Sequence, residues 1–421
     1  MKSQFKASLR ALILLLVRLL GWPGAHRVAQ QRQSMHAPRI LLIRPDHLGD
    51  LLMTTPVLAA IRERAPHAQI TMMVGPWSRE IVERHPAVNQ LISCPFPGFQ
   101  RTAQKPLAPY ILLWQTARQL RRQEYDLAIN LRPDFWWGAA LIYLAGIPRR
   151  AGYAIQPGTP FLTHALPWAP RQHSTVYNLR LANAGLATLD YLPLDEPYTP
   201  TRYPLVFTPT ANEQTQIIER LAQTGITTST PFIVIHPGTG GAVKLWRSEA
   251  WATIADELAT THNLSIILTG SPQERSLLEE IAHQMKINNT LPPVILNDIT
   301  VGQLAALFSR ARMVLGVDNG PLHLATALDR PTLALFGPTD THIFGPWGTP
   351  TRHIVIASTY RCPTCPAIPC GRLDFTPAEL PSHPCVKRIT EHEVMDAVHQ
   401  LLALRDDKGT TATGDKKSSA Q

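Results

Sequence analysis

Apolar and polar positions alternate along this chain with two different periods, and that alternation predicts its elements. Short runs of mostly apolar residues at 39–44, 69–74, 90–93 and 127–130 have the length and aliphatic content of buried strands. Between them, residues 49–65, 110–122 and 135–145 repeat apolar side chains every three or four positions, as a helix burying one stripe does. A second series follows, with strands at 232–236, 265–269, 294–296, 313–317 and 332–336 and helices starting near Ser248, Gln273, Val301 and Gly320. Strands that are apolar on both faces and alternate with helices predict parallel sheets covered on both sides. The expected class is therefore α/β, with two doubly wound domains facing a cleft. The Pro- and Thr-rich stretch 195–210 is the expected boundary, so that residues 38–205 form one domain and 206–404 the other. Residues 1–37 read as a basic amphipathic segment, and 405–421, rich in Asp, Lys, Gly, Thr and Ser, as a disordered tail.

A chain of 421 residues with 44% hydrophobic content can bury two cores. Its formal charge of +9 invites a nucleic-acid partner. Residues 1–39, however, carry Lys2, Lys6, Arg10, Arg18, Arg27, Arg32 and Arg39 and no acid, which leaves about +2 for the rest. That remainder is a poor footprint for a nucleic-acid groove, so no nucleic-acid partner is expected.

The apolar run within the leader is shorter than the roughly 20 residues of a membrane span, and Arg18 interrupts it. Phe5, Leu9, Leu12, Leu16, Leu19 and Leu20 recur at helical spacing. This favours an interfacial helix on an anionic membrane surface over a helix packed on its own domain or a signal sequence. Cys362, Cys365, Cys370 and Cys385 cluster near the end while Cys94 stands alone. Their spacing is not that of a regular zinc ribbon, and reduced thiols or a small metal clip are both open.

Ligands of open parallel sheets sit beyond the carboxyl ends of the strands. In the second half those ends carry His236-Pro237-Gly238-Thr239-Gly240, Thr269-Gly270-Ser271 and Asp318-Asn319-Gly320, all small, polar or glycine-rich. A helix starting at Gly320 aims backbone N–H groups and a positive dipole end at one spot, a place to hold a phosphate. The competing reading is an ordinary capped helix, with Asn319 as N-cap, Pro321 in the first turn and His323 packed behind it. Lys244, just past the first turn, can set an ammonium against a diphosphate; a solvated loop lysine is the alternative. In the first half, Arg44-Pro45-Asp46-His47-Leu48-Gly49-Asp50 joins a strand to a helix and offers two carboxylates. Either can serve as general base toward a hydroxyl, or merely cap the helix. Neither the dinucleotide fingerprint G-x-G-x-x-G nor the P-loop is present, which disfavours a dehydrogenase or an NTPase.

Three motifs in order, R-x-D-x-x-G-D-x-x-x-T-x-P at 44–56, H-P-G-x-G-x-x-x-K-x-W at 236–246 and D-N-G-P-x-H-L-A with A-L-F-G-P-T at 318–339, resemble glycosyltransferase family 9, the ADP-heptose:lipopolysaccharide heptosyltransferases. The resemblance spans roughly residues 39–400. It implies a GT-B fold of two Rossmann-like domains, with the donor nucleotide on the second and the acceptor on the first. It also implies inverting transfer without a metal ion or other cofactor, and no Asp-x-Asp motif is present. By the same resemblance Asp50 is the catalytic base, with Arg44 and Asp46 on the acceptor side. Lys244 holds the donor phosphates; Asp318, Asn319 and Gly320, together with Thr239, Gly240 and His323, surround the diphosphate; and Glu274 meets the ribose or sugar. Asn319 stands where Thr is frequent in the family, and His47 where Arg or a small polar residue is common. The implied partners are an ADP-sugar, a lipid-linked or oligosaccharide acceptor and the inner-leaflet membrane surface, which places the enzyme in the cytoplasm, peripheral to the inner membrane. A sugar-nucleotide epimerase of the same architecture and a non-catalytic nucleotide-binding protein are the rival readings.

Overall fold

The computed structural model of the chain describes residues 37–100, 105–169, 171–286 and 292–403, together with Leu14, Leu15, Arg18, Leu19 and Gly21 of the leader. The expected tail, 405–421, lies outside the described residues. Two compact units are formed, one of Met1–Pro209 with His342–Trp347, the other of Thr210–Thr341 with Gly348–Gln421.

The first unit carries a parallel sheet of β1 (Arg39–Arg44), β2 (Gln69–Val74), β3 (Gln90–Ser93), β4 (Leu127–Asn130), β5 (Arg149–Tyr153) and β6 (His164–Leu166), in the order β3-β2-β1-β4-β5-β6. The second repeats this plan with β7 (Phe232–His236), β8 (Ser265–Thr269), β9 (Val294–Leu296), β10 (Val314–Val317), β11 (Thr332–Phe336) and β12 (His353–Ala357), in the order β12-β11-β10-β7-β8-β9. Both are doubly wound Rossmann-like sheets, so the fold class is the α/β GT-B class. In each, the first strand lies between two parallel neighbours: Ile40 is in register with Ile70 and Leu127, and Val234 with Ile267 and Val314. Every residue of β4, β7, β10 and β11 is buried, which is why their sequences read as mostly apolar runs.

Helices cover the sheets and bury apolar clusters against them in each unit. In the first, Leu41, Ile43, Phe96, Trp137, Leu141 and Phe161 pack together. In the second, Trp246, Trp251, Leu258, Leu278, Leu315 and Val398 do so. The leader contributes to the first core: Leu14 is buried in it, and the Arg18 carbonyl accepts a 2.7 Å bond from the Tyr143 hydroxyl, while Leu15 and Leu19 are exposed. Its described residues thus have one face on their own unit and one face open.

The expected helix 49–65 is two helices, Leu48–Leu52 and Thr55–Arg64. Pro56 has no N–H for the Leu52 carbonyl four residues back, so a continuous helix would leave that acceptor orphaned. The Thr55 hydroxyl takes its place, donating to Leu52 O at 2.7 Å, and Thr54 Oγ1 donates to Asp50 O at 2.9 Å. Apolar periodicity runs through the break because both helices bury apolar residues, Leu51 and Leu52 in the first and Val57, Leu58 and Ile61 in the second. The pattern also passed over β5, β6 and β12, of which the first, Arg-Arg-Ala-Gly-Tyr, is too polar to register.

Candidate active site

In a doubly wound sheet the strand order reverses between two neighbours, and the loops leaving their carboxyl ends diverge to open a crevice. That point falls between β1 and β4 in the first unit and between β7 and β10 in the second. Each unit gathers polar side chains there.

In the second unit, Asp318 follows β10 and organises the group. Its Oδ2 accepts from Lys244 Nζ at 3.1 Å and from the Thr339 hydroxyl at 2.5 Å, while its carbonyl accepts from Thr239 Oγ1 at 3.2 Å. The Lys244 side chain is only 14% exposed, which rules out a solvated loop lysine. Asn319 is the N-cap of the helix Gly320–Ala327, its Oδ1 accepting from Leu322 N at 3.0 Å; its Nδ2 donates to Gly238 O at 2.8 Å and His236 O at 3.3 Å, binding the β7 turn to the helix start. With Leu322 N–H taken by this cap and Pro321 bringing none, Gly320 is left as the first-turn N–H not accounted for in this way. The helix end is therefore a narrower anion site than a fully open first turn.

Glu274 reaches the same turn: at Gly238 a methyl group would overlap its carboxylate. The carboxylate also closes a capping box on Ser271, accepting from Ser271 N at 2.7 Å and Ser271 Oγ at 2.8 Å. A close approach is equally required at Gly316 in β10, where a Cβ would sit 2.6 Å from the His236 carbonyl oxygen. His236, buried, shares a 3.0 Å bond between Nδ1 and Thr269 Oγ1. Burial lowers its pKa to about 4 despite the opposing charge of Glu274, so the ring is neutral at neutral pH. His323 is lowered by burial in the same way, with Asp318 opposing and Lys244 assisting, and its Nδ1 is buried with no hydrogen-bond partner. Gly240 has open space where a side chain would begin.

In the first unit the two candidate carboxylates differ sharply. Asp46 is 2% exposed and pairs with Arg44, whose Nε lies 2.7 Å from its Oδ2, and with Arg132 through Oδ1. A carboxylate held between two guanidinium groups and closed off from solvent has no room to take a proton from an incoming hydroxyl. Asp50, four residues on, has a side chain 34% exposed and accepts from Arg44 Nη2 at 3.2 Å. Arg44 is itself fixed by Leu131 O at 2.9 Å and Asn178 Oδ1 at 3.1 Å, so a buried cation connects both carboxylates to the end of β4. Asn178 secures the helix break by donating to Met53 O and Thr54 Oγ1 at 3.1 and 3.2 Å. Sequence reading missed Arg132, Asn178 and Thr339. Arg132 follows the end of β4 and is recoverable by the strand-end rule; Asn178 lies in the helix Ser174–Ala187, for which no motif gave a signal.

One cavity of about 250 Å³, lined by Gly225, Ile226, Asn263, Ser265 and Val294 among others, opens at the amino ends of β8 and β9. That is the wrong end of the sheet for ligand chemistry.

The model of glycosyltransferase family 9 (heptosyltransferase) matches residues 113–370, which includes the second-unit cluster and leaves residues 44–56 outside. Lipopolysaccharide heptosyltransferase 3 of Escherichia coli is 26% identical over 305 residues, covering 71% of this chain and 83% of that protein. A glycosyltransferase family 9 structure from Veillonella parvula superposes with a TM-score of 0.71 at 21% identity, covering 89% of this chain and 99% of that one. The structure of an Escherichia coli ADP-heptose lps heptosyltransferase II gives a TM-score of 0.66 at 22% identity, over 87% of this chain and 99% of that one.

Proposed function

Because the chain belongs to glycosyltransferase family 9, the heptosyltransferases, we propose that it moves a heptose or related sugar from an ADP-sugar to a hydroxyl of a lipopolysaccharide core or similar glycan. The reading includes inversion at the anomeric carbon and no metal ion in the chemical step.

The observation that carries it is the Lys244–Asp318–Thr339 cluster at the strand-order reversal of the second unit. Its geometry suits a sugar diphosphate. Lys244 exchanges part of its pairing with Asp318 for the donor phosphates, Gly320 N–H adds a donor at the positive helix end, and Gly240 leaves space for approach to the backbone. In the transfer itself, the acceptor oxygen forms a bond to the anomeric carbon as the bond from that carbon to the diphosphate oxygen breaks. The acceptor proton goes to Asp50, the electron pair leaves with ADP, and Lys244 with Gly320 N–H stabilises the charge that grows on the leaving phosphate. An ammonium in this position does the work a divalent ion performs elsewhere. Asp46, buried between Arg44 and Arg132, leaves one carboxylate for catalysis, as a single displacement with inversion requires.

A lipid-linked acceptor makes a membrane surface part of this reading. Among the described residues no helix is long and apolar enough to cross a bilayer. The exposed Leu15 and Leu19 of the leader, and the exposed Leu107, Ile111 and Trp114 beside Arg118 and Arg121, have the composition of a surface that rests on anionic lipid. Flotation with vesicles containing phosphatidylglycerol is the check; protein left at the bottom of the gradient excludes this part.

Incubation with ADP-heptose, with and without a lipid A–inner-core acceptor, tests the whole proposal. Transfer only when acceptor is present, with an inverted anomeric linkage by NMR, is the expected result. Conversion of the donor alone, or neither turnover nor donor binding, overturns it.

A further inference from the structure

The cysteines near the end of the chain are not a loose set of thiols, because the fold brings a histidine that spacing gave no reason to include into the middle of them. Cys362, Cys365 and His383 are all buried, and their Sγ, Sγ and ring-nitrogen atoms lie within 4.8 Å of one another. The Cys365 Sγ is 3.3 Å from His383 Nδ1. The Cys-x2-Cys segment is folded back as a tight turn, Cys365 N donating to Cys362 O at 3.0 Å, which aims both thiols the same way. Two more thiols lie nearby: Cys385 is buried in the same core as Cys362 and Cys365, and Cys370 packs against it. None of the four is in a disulfide.

We propose that Cys362, Cys365 and His383, with Cys370 or Cys385 as fourth ligand, hold one zinc-type divalent ion as a closed structural site in the second unit. Thiolate and imidazole are the ligands such an ion selects, and its bond lengths of about 2.3 Å to sulfur and 2.0 Å to nitrogen set ligand atoms roughly 3.5 Å apart in a tetrahedron. The cluster needs only a small inward movement to meet that. Supports of the kind expected around a metal are in place. His383 Nε2, the nitrogen turned from Cys365, is 3.4 Å from Thr364 Oγ1; the Phe375 ring lies 3.9 Å from the imidazole; and Arg361 Nε donates to Cys365 O at 3.1 Å.

A second observation is independent of the ligand set. Between β12 and the helix Glu391–Ala403 the chain has no strand or α-helix, only the 3-10 turns Leu380–Ser382 and Val386–Arg388, yet Cys362, Cys365 and Cys385 belong to the core of the unit. A long connection without regular elements lacks a backbone ladder to hold its shape, and a metal cross-link supplies one. The segment also braces the turn after β11: Gly371 N donates to Pro338 O at 2.7 Å, and Cys385 Sγ lies 2.9 Å from where a Cβ on Gly337 would be. Thr339, whose hydroxyl meets Asp318, is the next residue of that turn. The ion would thus act on the donor site through the backbone and take no part in the reaction.

The test is metal analysis of the full-length protein purified without chelator, with zinc and iron both measured. About one ion per chain is expected, lost in Cys365→Ser and in the double variant Cys370→Ser/Cys385→Ser, retained in Cys94→Ser, and retained in His383→Cys, which keeps a soft ligand. Cobalt(II) exchanged into the wild type should show the intense visible bands of tetrahedral thiolate coordination, a readout that survives if a variant fails to fold. Wild-type protein that takes up no ion on reconstitution, full retention in the double variant, or oxidised cysteine pairs with no metal on thiol titration of the unfolded chain would overturn the proposal.

Discussion

Asp46 and Asp50 are four residues apart, one in the loop after β1 and one in the helix that follows, carry the same functional group, and face opposite demands. Asp46 is shut in with Arg44 and Arg132, so Asp46→Asn leaves two guanidinium groups facing a neutral amide. Removing one partner of a buried ion pair typically costs about 3–5 kcal/mol; because Arg132 is a third exposed, the lower end, ~3 kcal/mol, is expected in urea unfolding. Asp50 is open enough to meet a hydroxyl, and Asp50→Asn should change unfolding little while lowering turnover by roughly 10²–10⁴, the usual size of a general-base contribution. Donor affinity by calorimetry should stay near wild type. Unreduced turnover in Asp50→Asn would remove it from the role. The motif R-x-D-x-x-G-D displays both acids equally; what separates them is Arg132, just past β4, more than eighty residues away in sequence and therefore invisible to local spacing. Lys244 shows the same limit, since only the fold sets it 3.1 Å from Asp318.

At the level of strands and helices, legibility followed burial. Strands wholly inside a parallel sheet, such as Phe-Ile-Val-Ile-His of β7, announce themselves by mostly apolar runs, and the glycine turns behind them are visible in the sequence as chain reversals. Edge strand β6, three residues long and mostly exposed, lacks that signature, whereas His-Ile-Val-Ile-Ala of β12 carries an apolar run although only its first residue is buried. The helix broken at Pro56 failed for a different reason: periodicity reports which side is buried, not whether the hydrogen-bond ladder is continuous. Within β10, Gly316 reads as a weak point in a strand, yet its missing side chain is what lets the chain close on the His236 carbonyl. Gly316→Ala forces backbone apart at the strand-order reversal. We expect a loss of about 1–3 kcal/mol in urea unfolding together with weaker ADP binding. An alanine variant with unchanged midpoint and affinity would show that the strands can separate without consequence.

For the molecule as a whole, buried imidazoles contribute to acid sensitivity. Burial lowers the pKa of His85 in the first unit and of His236 and His353 in the second to about 4, from the ordinary imidazole value near 6.5. Above pH 6.5 the rings are neutral folded or unfolded, and they contribute nothing to a pH slope. Between 6.5 and about 4 the unfolded chain binds protons that the folded chain refuses, so stability falls as pH drops, by on the order of 1 kcal/mol per pH unit for each ring. Thermal unfolding from pH 7.5 to 4.5 should show this decline, and His85→Gln should make it shallower; an identical profile in that variant would assign the slope to other groups.

The chain returns once to the unit it began. Residues His342–Trp347 belong with the first unit, where the Trp347 indole donates to Tyr203 O at 2.7 Å and its ring stacks on His173 at 4.6 Å. During synthesis, then, the body that emerges first from the ribosome waits for its last piece until most of the other has been made. An expression fragment ending near Pro209 would present Tyr203 and His173 without their indole, whereas a fragment supplied with the peptide 342–347 could recover it.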